Sequence, residues 1–251
     1  LSFVTLLAAL TLMVVFWRSI LRKVGYHLGL NRSWKIWFIS NLGRYVPGKV
    51  WQIMGMVYLC ERENIPKIAT TTSVVMAQAW SIISAFILMG GYLLVARSLA
   101  LPRFPFLFIL FIPVGFILIY PPILERLING LLKRLKREPI RLHMTFGDSL
   151  GFLALYFFGW IVYGVAFSAF VFSVHAMPLS TVPAIVCIFA VSYTLGFLFI
   201  VTPGGLGVRE GLLAALLSAY MPLPIATVIS LLSRIWFTAG EMLCLGLALK
   251  R

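Results

Sequence analysis

Three arginines, one lysine and two glutamates of this chain stand in or beside long apolar runs, and most of them gather at two helix breaks. One break is Arg44-Tyr45-Val46-Pro47-Gly48-Lys49; the other is Thr202-Pro203-Gly204-Gly205-Leu206-Gly207-Val208-Arg209-Glu210. Arg234 and Glu241 follow in the next apolar run, seven residues apart and so on one helix face. Pro47 and Pro203 remove a backbone donor and the adjoining glycines loosen the chain, so a helix cannot continue through either cluster. In lipid, broken backbone is tolerated only when buried in protein or lining a watery cavity. An ionisable side chain at that depth is a functional candidate by default. Arg44, Lys49, Arg209 and Arg234 outnumber Glu210 and Glu241, and the arginine fork matches phosphate in bidentate fashion. Gly48, Gly204, Gly205 and Gly207 let a ligand approach the backbone, and a helix starting at each Pro-Gly turn offers unpaired N–H groups and a partial positive charge. The predicted occupant is a phosphate-bearing head group, with Gln78 as a further polar lining residue.

Plainer readings stand beside these. Glu210 either neutralises Arg209 or Arg234 in a structural ion pair or takes part in function. Arg44 and Lys49 are long enough to snorkel to an interface. Asp148 suits a helix cap, and His27, His143 and His175 fall in connectors or at a span end. Cys60, Cys187 and Cys244 have no CxxC spacing and sit among apolar residues, as core fillers do. No catalytic group, metal-ligand set or cofactor motif is expected.

With 61% hydrophobic and 11% charged residues, the chain has more apolar surface than a soluble domain can hide, which makes it an integral membrane protein. The formal charge of +14 comes from 21 Lys+Arg against 7 Asp+Glu. It reads as basic cytoplasmic loops facing anionic lipid, rather than as nucleic-acid binding. The first residue is Leu, and a preceding N-terminal piece is expected.

The elements that must position the charges follow in order. Leu1–Phe16 is a first span, closed by Trp17 and Arg18, with Arg22, Lys23, Arg32 and Lys35 in a basic connector. Asn31 or Ser33 is placed to cap a helix from Trp34 to about Tyr45, roughly 18 Å long and too short for a ~30 Å hydrocarbon core. A second short helix runs from the break to about Cys60, which together suggests a re-entrant hairpin. Ile65–Val95 is a second span, Phe104–Tyr120 a third, Phe146–Val174 a fourth and Pro222–Leu249 the last. Ile123–His143 carries leucines and isoleucines on one face, with Arg126, Lys133, Arg134, Lys136 and Arg137 opposite, an in-plane amphipathic helix on anionic head groups. Val182–Val201, the second break and Leu212–Tyr220 form the second broken element.

An offset of 156 residues places Pro47-Gly48 on Pro203-Gly204, Gly55 on Gly211, Pro66 on Pro222, Thr71 on Thr227, Trp80 on Trp236 and Gly90 on Gly246 without a gap. This indicates an internal duplication. With Arg18–Lys35 and Ile123–His143 cytoplasmic, one span between the units inverts the second, the hairpins enter from opposite faces, and Lys250-Arg251 also falls inside. The fold class is therefore an all-α integral membrane protein. It is an inverted-repeat helical bundle with about five full spans, two re-entrant broken-helix hairpins and one interfacial amphipathic helix. A single domain covers 1–251, with units of about 1–96 and 146–251 linked by 97–145.

Arg44-x-x-Pro47-Gly48, followed by Pro203-Gly204-Gly205-Leu206-Gly207-x-Arg209-Glu210-Gly211, resembles the transmembrane region of lysylphosphatidylglycerol synthases, a flippase-like family of bacteria and archaea. The likeness covers nearly the whole chain. It implies translocation of an aminoacyl-phospholipid or a polyprenyl-phosphate-linked sugar between leaflets of a prokaryotic plasma membrane, with Arg44, Arg209 and Glu210 in the lipid cavity. The soluble aminoacyl-transferase domain of the bifunctional synthases is not within these residues, so lipid modification is not expected of the chain and lysyl-phosphatidylglycerol need not be the cargo. Two rival readings remain: a membrane enzyme acting on lipid-linked sugars or phosphates, and a subunit holding a lipid for a partner lipid-modifying enzyme. A homo-oligomer is compatible with each.

Overall fold

A computed structural model describes residues 1–46, 50–95, 105–134, 139, 142, 144–199 and 205–250. The described elements are all helical, in the order α1 (Ser2–Lys23), α2 (Leu30–Asn41), a 3-10 turn (Leu42–Tyr45), α3 (Val50–Glu61), α4 (Lys67–Val95), α5 (Pro105–Leu118), α6 (Pro121–Arg134), α7 (Phe146–Val174), a 3-10 turn (Leu179–Thr181), α8 (Val182–Leu198), α9 (Val208–Leu217) and α10 (Leu223–Lys250). Five stretches are long and apolar enough to cross a membrane: α1, α4, α7, Leu179–Leu198 and α10.

The number of spans agrees with the sequence expectation, but one member differs. The described part of α5 is 14 residues, about 21 Å, short of a ~30 Å core. Pro105 is its first described residue, and Pro121-Pro122 bars Tyr120 from helical geometry and turns the chain by 74° into α6. Leu179–Leu198, expected as one arm of a hairpin, is of spanning length itself. The start of α2 also differs: it opens at Leu30 behind an extended Gly29, and the Ser33 hydroxyl donates back to the Gly29 carbonyl (3.0 Å) instead of capping. Along α6, Leu124 and Ile128 are buried in the core with Ile119, Met76 and Trp80, whereas Leu127 is 53% exposed. Among the described residues, one edge of its apolar face is thus packed against protein and the other is exposed. Arg126, Lys133 and Arg134 are exposed, as expected. Lys136, Arg137, His143, Arg97 and Arg103 lie outside the described residues.

The packing exchanges partners between the two halves. Helix α4 packs on α7 and α8, and α10 packs on α1 and α2, while α1 and α7 pack on each other. The last pair runs antiparallel: the Ser2 hydroxyl donates to the Ala166 carbonyl (2.7 Å), and Lys23 pairs with Asp148 (2.8 Å) at the other end. Asp148 caps α7 reciprocally with Thr145. Indole N–H groups tie helices across the apolar interior: Trp17 to Ser73 (3.1 Å), Trp34 to the Cys244 carbonyl (3.1 Å) and Trp160 to the Ser81 carbonyl (2.8 Å). With no hydrophobic effect between helices in lipid, such bonds and close packing hold a bundle together. Cys60, Cys187 and Cys244 are buried free thiols.

Candidate functional site

Helices α2 and α3 fold back on each other as a hairpin. Gly43 lies so close to the start of α3 that a Cβ there would sit 2.5 Å from the Gln52 nitrogen, and Gly55 faces Ser40. The Gln52 amide donates to Asn41 Oδ1 (2.7 Å), which carries the hairpin's polar seam inward. The second turn is tight for the same reason. Gly205, at φ 72°, presses on the Gly196 carbonyl, where a Cβ would come within 2.6 Å, and its left-handed backbone suits glycine alone. Pro47, Gly48, Lys49, Pro203 and Gly204 lie outside the described residues.

Between the two turns is a cavity of about 130 Å³. That is close to the volume that admits a benzene-sized group. Arg44, Gln78, Arg209, Arg234 and Glu241, expected from the sequence, all line it. Glu210 and Gly207 support it from the side. One Glu210 oxygen accepts from Arg234 (2.9 Å) and the other from the Gly207 N–H (2.8 Å). The carboxylate thus takes the N-terminal donor of α9 that the sequence had offered to a ligand, and its charge complements the helix dipole. Arg44 turns into the cavity. Its guanidinium pairs with Glu241 (3.0 Å) and donates to the Tyr193 hydroxyl (3.2 Å). Arg234 and Glu241, on one face of α10, therefore serve different partners.

Arg209 is left over. It is 7% exposed, no described carboxylate pairs with it, and its Nη2 has no hydrogen-bond partner among the described residues. Its guanidinium carbon lies 5.6, 5.0 and 5.2 Å from the ring centroids of Phe189, Tyr193 and Phe237. Ring faces attract a cation, by ~2 kcal/mol or more when desolvated. They do not replace a counter-ion, because an unpaired buried charge costs several kcal/mol. Among the described residues the cavity is thus lined by three guanidinium groups and one carboxylate, with Glu210 behind Arg234, and one cation is open to an oxyanion.

Sequence reasoning missed Asn41, Tyr45, Gln52, Tyr193 and Thr238. Tyr45 donates to Glu241 (2.9 Å) and meets Thr238 (3.2 Å), and the Asn41 amide reaches Glu241 at 3.5 Å. Asn41 and Arg44 are three residues apart ahead of the break, a helical spacing that would have pointed to the first of these. Nothing local marks Tyr193 or Thr238.

The family model for the lysylphosphatidylglycerol synthase transmembrane region matches residues 1–239, and the chain belongs to that family of multi-pass membrane proteins. No curated protein and no solved structure gives a match.

Proposed function

We propose that the protein is a lipid flippase that passes a phosphate-bearing head group through the cavity while the acyl chains stay in the bilayer. The single observation that carries this reading is Arg209: a buried arginine framed by three rings, with a nitrogen that has no partner among the described residues, in a space of head-group size. A phosphate oxygen at Nη2 would supply the missing charge and hydrogen bond together. An aminoacyl-phospholipid and a polyprenyl-phosphate-linked sugar both present such an oxygen. The reading is non-enzymatic: Glu210 and Glu241 are each engaged by an arginine. The antiparallel α1 and α7, with the exchange of partners by α4 and α10, support an inverted repeat whose hairpins enter from opposite faces. Arg18–Lys35 and α6 would then face the cytoplasm of a prokaryotic plasma membrane, in contact with anionic lipid.

The test is a vesicle assay with head-group-labelled phosphatidylglycerol and with a polyprenyl phosphate carrying a labelled sugar. Purified protein should accelerate exchange of one of them between leaflets, and Arg209→Gln should abolish it. Absence of exchange with both, from protein that melts cooperatively, would reject the flippase. Lipid retained through purification but never moved would instead favour a holding subunit for a partner lipid-modifying enzyme.

A further inference from the structure

A path for a charged head group needs a barrier that yields when cargo arrives, and one carboxylate is placed to be that barrier. Glu241, 2% exposed, receives three groups from the tip of the first hairpin: Arg44, Tyr45 and Asn41. Tyr45 adds a bond to Thr238, one turn earlier on α10. These contacts bind the tip of one half to the last helix of the other. The second hairpin has no copy of them: at the 156-residue offset, Arg44, Tyr45 and Glu241 fall on Ile200, Val201 and Ala85.

Arg44 also belongs to the anion site. Its Nη1, the nitrogen paired with Glu241, donates to the Tyr193 hydroxyl, and the ring of that tyrosine lies 5.0 Å from the guanidinium carbon of Arg209. An oxyanion held by Arg209 over Tyr193 is thus one side chain away from Arg44. Moving Arg44 from Glu241 to that anion exchanges one charge-assisted pair for another, so the exchange itself has a small net cost. Glu241 is then a buried charge short of its cation, a condition that burial penalises. The strain is relieved when the tip moves off α10 and water reaches the carboxylate.

We propose that Glu241 is the latch of the cavity, and that an anionic lipid head group bound at Arg209 releases it by drawing Arg44 away. The identity of the anion rests on the flippase reading; the latch itself does not. A ligand shifts such an equilibrium only by its differential affinity for the two arrangements, and here Arg44 supplies the difference.

The reporter is Thr238→Cys, whose thiol would stand partly buried under Tyr45 while Cys60, Cys187 and Cys244 stay in the core. Its rate of modification by a water-soluble thiol reagent is measured in maltoside micelles. Phosphatidylglycerol should raise the rate several-fold, and diacylglycerol with the same chains should not. Adding Glu241→Gln should give a fast rate without lipid, and so should Tyr45→Phe, which removes the remaining hydroxyl bond to Glu241 without touching a charge. Adding Arg209→Gln should leave the slow rate and abolish the lipid response. A slow rate in both Glu241→Gln and Tyr45→Phe proteins, or equal responses to the two lipids, overturns the latch. Head-group exchange is followed in vesicles with the same proteins. Exchange without a rate response rejects the latch and spares the flippase. A response without exchange rejects the flippase and spares the latch.

Discussion

Gly196 sits directly against Arg209: a Cβ at position 196 would lie 2.7 Å from the Cβ of Arg209 and 3.2 Å from its Cα. The close approach of α8 to α9 aims the arginine into the cavity. Gly196→Ala should displace Arg209, lowering head-group exchange and stability together. Overpacking of this kind costs ~1–3 kcal/mol. Thermal melts and exchange assays on one preparation check both effects, and a variant that melts and transports as wild type would show that Gly196 does not position the arginine.

Arg209 itself should behave in the opposite way. Arg209→Met removes a buried cation that has no described counter-ion, so stability should be unchanged or rise by about 1 kcal/mol while exchange is lost. The lost ring contacts partly offset the gain. A large drop in melting temperature would show instead that the residue is structural.

Glu210 has two partners, the Arg234 guanidinium and the Gly207 N–H. Glu210→Gln leaves Arg234 without its anion and should destabilise by ~3–5 kcal/mol. Adding Arg234→Gln should restore most of that loss, because neither charge of the pair then remains. A double-mutant cycle in a mild detergent measures the coupling, and additive losses would contradict it.

Orientation can be checked at two exposed basic residues, Arg32 and Lys133. With each replaced singly by cysteine, an impermeant reagent should label both only after cells are opened. Labelling of either one in intact cells would place that loop outside and undo the proposed topology.

The helices and their interruptions are legible in the apolar run lengths and the two proline-glycine clusters, because backbone geometry and desolvation act locally along the chain. The same locality explains why Arg44, Arg209, Glu210, Arg234 and Glu241 stand out in the sequence: a charge in an apolar run is conspicuous by composition alone. At the end of α5, Pro121-Pro122 adds a 74° turn that hydropathy alone does not reveal.

By itself, then, the sequence determined that this is a helical membrane protein whose apolar runs are interrupted by proline-glycine clusters with more cations than anions beside them. Which arginine is left open was decided only by tertiary structure. Glu210 could have served Arg209 beside it, yet α9 turns it toward Arg234, 24 residues on, while Glu241 reaches back to Arg44 across the bundle. Pairing depends on which side chains helix packing brings within about 3 Å, and neither adjacency nor composition encodes that.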